Sequence, residues 1–142
     1  MSKHETPLTH RYWKSVGGTL VKEFLAVRRR AGVGRRLIDA IILPNGPHRV
    51  ARSAEVDLKG QDVIVVQTKA SRLGMYVMGQ ALFSAELVRR FQPASVKSVI
   101  ICTADDLVLR PLLDRYPHVE VVLIDAAQQQ HEADGAPRRS RC

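Results

Sequence analysis

Asp62-Val63-Ile64-Val65-Val66-Gln67-Thr68-Lys69 decides the fold. It is a β-branched run, apolar on both alternating faces until its last residues, which is the pattern of a strand covered on each side by other elements. Arg36-Leu37-Ile38-Asp39-Ala40-Ile41-Ile42-Leu43 has the same character apart from one carboxylate, and Pro44-Asn45-Gly46-Pro47 ends it in a turn. Between the two runs a more polar strand is expected over Arg49 to Val56, with a turn near Gly60, so that the three read as an antiparallel meander.

Working outward, the residues from Gly17 to Arg30 place Leu20, Phe24 and Val27 at helical spacing, with Gly32 and Gly34 behind them as a stop, and are expected to form an amphipathic helix. From Ser71 to Arg90 a helix is expected to turn the stripe Tyr76, Gln80, Phe83 and Leu87 toward the core, flanked by Met75, Met78 and Leu82. Val96 to Cys102 reads as a strand, Leu107 to Arg115 as a helix and Val119 to Ile124 as a strand. The class is therefore α/β. Residues 1–10 are expected to be a flexible N-terminus, 11–125 the folded domain and 126–142 a disordered basic tail with too little apolar surface to offset the entropy of ordering.

With 142 residues, 45% of them hydrophobic, the chain supports one core and excludes a multidomain machine. Its net charge of +8 favours a polyanionic partner. The tail has three Arg against one Glu and one Asp, a net of +1, so +7 belongs to the body of the protein. Cys102 and Cys142 have no companions at zinc-ligand spacing, which argues against a zinc finger and a disulfide scaffold. No apolar stretch approaches the roughly 20 residues that span a bilayer, and the expected location is cytoplasmic. Gly32-Val33-Gly34 precedes a strand, the wrong context for a dinucleotide-binding loop.

A carboxylate inside an apolar strand is costly unless a cation, a metal or hydrogen-bond donors meet it. Asp39 is such a residue, and an ion pair with Arg35, Arg36 or Lys69 is one way to meet it. Alternation in the Asp62 strand sets Gln67 and Lys69 on one face. Beside the Asp39 strand they would bring together a carboxylate, an amide oxygen and an ammonium, which suits a hard divalent cation and a phosphate ester. Glu55, Asp57 and Asp62 read as exposed acids, and Asp105-Asp106 as a helix N-cap.

Glu23, then Asp39, then Gln67-Thr68-Lys69, then Gln80, on successive expected elements, resembles the PD-(D/E)XK nuclease superfamily, including Holliday-junction-resolvase-like and Mrr-like restriction endonuclease members. The resemblance implies a three-layer sandwich, with a mixed central sheet and an α-β-β-β-α-β core of restriction-endonuclease-like type, plus a C-terminal α-β extension. It further implies a nuclease using Mg²⁺ or Mn²⁺, with Asp39, the Gln67 side chain and the Thr68 carbonyl as metal ligands. Lys69 would hold or deprotonate the attacking water, Glu23 would reach the metal through a water, and Gln80 would support the site. Gln67 stands where most members have Asp or Glu, which removes one negative charge. Arg28, Arg29, Arg30, Arg35, Arg36, Arg49, Arg52 and Arg72 are the candidate contacts to nucleic acid, with DNA expected before RNA, and a duplex or branched form before a single strand because stacking aromatics are few. A homodimer or a partner protein would supply specificity. The competing readings are a catalytically weak nucleic-acid-binding or assembly subunit of the same fold, and a basic interaction domain whose Asp39 is neutralised by arginine.

Overall fold

A computed structural model describes residues 2–125. In chain order the elements are α1 (Glu5–Val16), β1 (Thr19–Val27), β2 (Arg36–Leu43), β3 (Arg49–Ala51), a 3-10 turn (Ser53–Glu55), β4 (Asp62–Arg72), α2 (Met75–Arg89), β5 (Ser95–Ala104), α3 (Leu109–Leu113) and β6 (Val119–Leu123). The six strands form one mixed sheet in the order β3-β1-β2-β4-β5-β6. β1 with β2 and β2 with β4 are antiparallel, whereas β4–β5, β5–β6 and β1–β3 are parallel. The α/β class read from the sequence holds.

The β4 run is buried from Val63 to Thr68, and its two faces feed different cores. Ile64 and Val66 join Leu20, Ala40, Ile42, Val99 and Ile101 under Leu8, Tyr12 and Trp13 of α1. Val63 and Val65 join Val21, Ile41 and Leu43 beneath Val88 of α2. A third cluster on the α2 side gathers Val77, Ala81, Ile100, Cys102 and Leu113 of α3. The sheet is thus sandwiched, with α1 on one face and α2 with α3 on the other. Cys102 is a buried core residue whose thiol is pushed up by burial.

Four expectations are corrected. The segment from Gly17 to Arg30 is strand β1 and its exit, not a helix, because its apolar residues are buried on both faces, a case in which spacing alone cannot separate helix from strand. The helix lies earlier. Residues 5–10, taken as part of a flexible N-terminus, open α1, which buries Leu8, Thr9, Tyr12 and Trp13 along one side. Ser2 and Glu5 exchange reciprocal hydrogen bonds of the capping-box kind, Ser2 N–H to Glu5 Oε1 at 3.1 Å and Glu5 N–H to Ser2 Oγ at 3.2 Å. Gly17 and Gly18, both at positive φ, turn the chain into β1, and a Cβ at Gly18 would collide with the Leu43 carbonyl. The Trp13 indole closes this corner by donating to the Gly18 carbonyl at 2.8 Å.

The expected antiparallel meander does not form. β2 pairs directly with β4, and the Arg49 strand shrinks to three residues on the outer edge, parallel to β1, because this polar stretch has little to bury between covered strands. Last, α2 is turned relative to the expected stripe. Val77, Ala81, Ser84, Ala85 and Val88 face the sheet, while Met75, Tyr76 and Phe83 are exposed. Small residues let the helix approach the strands closely, and the Ser98 hydroxyl fastens it by donating to the Ala81 carbonyl at 2.8 Å. The expected tail over 126–142 lies outside the described residues.

Candidate active site

Where β4 leaves the sheet for α2, a pocket of about 200 Å³ opens between the N-terminal ends of α1 and α2. Ser2, Glu5, Asp39, Thr68, Lys69, Tyr76 and Gln80 line it. Asp39, Thr68, Lys69 and Gln80, four of the sequence candidates, meet here. Thr68 is buried, its hydroxyl hydrogen-bonded to that of Thr9 at 2.7 Å, which ties α1 to the strand beside the pocket. Lys69 is exposed and also borders an adjoining hollow with Glu5, Leu8 and Thr103.

Asp39 points to this pocket because side-chain alternation slips in two neighbouring strands. Val21 and Phe24 of β1 share one core cluster, as do Ile38 and Ile41 of β2, so each strand loses its two-residue period between them. The slip in β1 falls at Glu23, a non-glycine residue at φ +52°. Lys22 pairs with Ala40 and Phe24 with Ile38, which sets Glu23 opposite Asp39. Left-handed backbone for a residue with a Cβ costs about 1–2 kcal/mol, so the rest of the sheet must hold it.

Burial is the main force on Asp39 and raises its pKa; the positive charge of the amino terminus opposes it, and the negative charges of Glu5 and Glu23 add to the rise. Among the described residues no Lys or Arg lies within ion-pair distance of its carboxylate, so the pairing with Arg35, Arg36 or Lys69 is not formed. Nor, among the described residues, do three His, Cys, Asp or Glu side chains gather as a metal-holding group.

Two candidates lie elsewhere than expected. Glu23 sits on a strand rather than a helix, exposed, and acts on Asp39 through its charge. Gln67 does not line the pocket. It is 3% exposed on the α2 side, its Nε2 donating to Ser84 Oγ at 3.0 Å, and its Oε1 has no partner among the described residues. Glu5 and Tyr76 are the residues that sequence reasoning missed. The Ser2-Lys3-His4-Glu5 spacing carried the capping-box signal for Glu5, and the separation of four between Tyr76 and Gln80 put both on one side of α2.

The eight candidate arginines do not ring this pocket. Arg72 donates to the Asp105 carbonyl at 2.6 Å, Arg52 pairs with Glu55, and Arg49 lies on the outer β3 edge. Arg28, Arg29, Arg30, Arg35 and Arg36 are exposed at the turn joining β1 to β2, which the Arg30–Val33 bridge narrows. The fold defines an α/β sandwich protein with a carboxylate, lysine and amide pocket at a strand end. Comparison with protein-family models, curated proteins and solved structures gives no match.

Proposed function

We propose that this chain is a metal-dependent nuclease of the PD-(D/E)XK kind, hydrolysing phosphodiester bonds in duplex or branched DNA. The observation that carries the reading is the shared pocket of Asp39, Lys69 and Gln80, built where two neighbouring strands and the helix after them meet. The element order α1-β1-β2-β4-α2-β5 supports it, with the short β3 as an insertion at the edge. Glu5 takes the place first given to Glu23 as the acid contributed by the leading helix.

The donor set fits a hard divalent cation: Asp39, Glu5 and Gln80, which carry carboxylate and amide oxygens, border one cavity with Lys69. Asp39, partly buried and with no Lys or Arg at ion-pair distance among the described residues, gains from such a neighbour. Mg²⁺ or Mn²⁺ held there would supply Lewis-acid stabilisation to the phosphate under attack. Lys69 Nζ, at the pocket mouth, would hold the attacking water and offset charge on a non-bridging oxygen. Gln80 would position the phosphate group from the helix side.

A second reading, a catalytically weak subunit that binds nucleic acid, is favoured by Gln67. Its amide is turned onto Ser84 and contributes nothing to the pocket wall. Incubating the protein with labelled plasmid, linear duplex, single strand, four-way junction and RNA, with Mg²⁺ or Mn²⁺, separates the two. Cleavage lost in both Asp39→Ala and Lys69→Ala establishes the nuclease, and salt-dependent binding without cleavage leaves the binding subunit.

A further inference from the structure

We propose that the groove between the β1–β2 turn and the C-terminal end of α2 binds a nucleotide unit by its phosphate. The groove has a volume of about 440 Å³, within the range of ligand pockets. Its floor is apolar, with Phe24 and Phe91 packed edge to face at 5.3 Å beside Leu58. Arg28, Arg30 and Arg90 line it, and Arg30 and Arg90 also line an adjoining pocket of about 310 Å³ that Arg36 enters.

All four guanidinium groups are exposed, and among the described residues none has a carboxylate within ion-pair distance. The one acid lining the groove, Asp57, has Oδ1 occupied by the Lys59 amide at 3.1 Å. Four guanidinium groups against the single Asp57 carboxylate leave the two contiguous pockets net positive, which favours an anion there. A phosphate matches this set, since each guanidinium can donate two parallel hydrogen bonds to its oxygens.

Beside the arginines the half-buried Phe91 ring, held edge to face on the buried Phe24, gives a flat apolar body attached to the phosphate one aromatic surface to rest on. A base carried on a sugar phosphate has that form. Along β1, which among the described residues has no strand partner on its β3 side beyond Val21, Ser53 Oγ accepts from the Leu25 amide at 3.0 Å and forms part of the groove wall. The inference shares Arg28, Arg30 and Arg36 with the proposed nucleic-acid contacts but does not depend on the Asp39 pocket.

The test follows the backbone amides of the full-length, isotope-labelled chain by nuclear magnetic resonance during titration with adenosine 5′-monophosphate, with adenosine, and with a short DNA duplex. Adenosine 5′-monophosphate or the duplex should move the signals of Phe24 to Arg30 and Ser53 to Leu58 to saturation, and adenosine should not. A duplex response without the mononucleotide assigns the ligand to a nucleic-acid strand, and a mononucleotide response alone assigns it to a free nucleotide. Replacing Arg30 and Arg90 together with Ala should weaken binding about tenfold or more, with the β4 and α2 signals in place. The groove response to adenosine 5′-monophosphate involves no cleavage, so it is read separately from the nuclease reading. Silence of the groove amides toward both phosphate probes, or an affinity indifferent to the double substitution, overturns the proposal.

Discussion

Asp39 is the residue on which stability and chemistry pull in opposite directions. Burial favours its neutral acid, so the folded chain keeps this proton to a higher pH than the unfolded chain does. Ionised Asp39 therefore opposes folding, and that cost grows as pH rises through the ordinary carboxylate range and is complete above the folded-state pKa. Asp39→Asn should raise Tm relative to the unsubstituted protein at pH 7, with the gain shrinking toward zero as pH falls below the ordinary carboxylate range. Thermal scans across pH check this, and a gain independent of pH would show that charge is not its source. The same carboxylate should make Mg²⁺ stabilising. A cation bound only by the folded state adds about 1.4 kcal/mol at ten times its Kd, and differential scanning fluorimetry should record that upward shift in the unsubstituted protein and not in Asp39→Asn.

Among the elements, β1 and α2 show how burial on two sides erases a period. In β1 the positions of Leu20, Phe24 and Val27 imitate a helix stripe, yet Leu20 and Phe24 reach opposite faces of a covered strand. In α2 large apolar residues occur all around the helix, so hydrophobicity does not choose a face and size does: Ala81 and Ala85 are fully enclosed while Phe83 is 72% exposed. This orientation predicts opposite outcomes for neighbouring substitutions. Ala81→Leu should overpack the sheet contact and cost about 1–3 kcal/mol, whereas Phe83→Ser should stay within about 0.5 kcal/mol. Denaturant titrations with unchanged m-values read both. The inverse result would mean that α2 presents the Tyr76, Gln80, Phe83 stripe to the sheet after all.

Among the described residues charge is spread unevenly, with exposed arginines at the β1–β2 turn and none lining the Asp39 pocket. If nucleic acid is the partner, Arg28→Ala, Arg30→Ala and Arg36→Ala combined should lower the slope of log affinity against log salt by about 2 to 3, near 0.9 for each phosphate that is no longer neutralised. Fluorescence anisotropy at several salt concentrations measures it, and an unaltered slope removes these arginines from the interface. By itself the sequence determined the strands of Arg36 to Leu43 and Asp62 to Lys69, the helix after them and the α/β class, because runs apolar on both faces and a change of period are local signals. It also singled out Asp39, since a charge inside an apolar strand is visible without coordinates, and set Lys69 by strand alternation, while Gln80 entered only through the family resemblance. Only the tertiary structure decided that Glu5 joins the pocket, that Gln67 turns away from it and that β3 crosses to the outer edge. Those outcomes depend on which faces the packed layers leave available and on the backbone slip at Glu23, and neither is encoded within any one stretch of the chain.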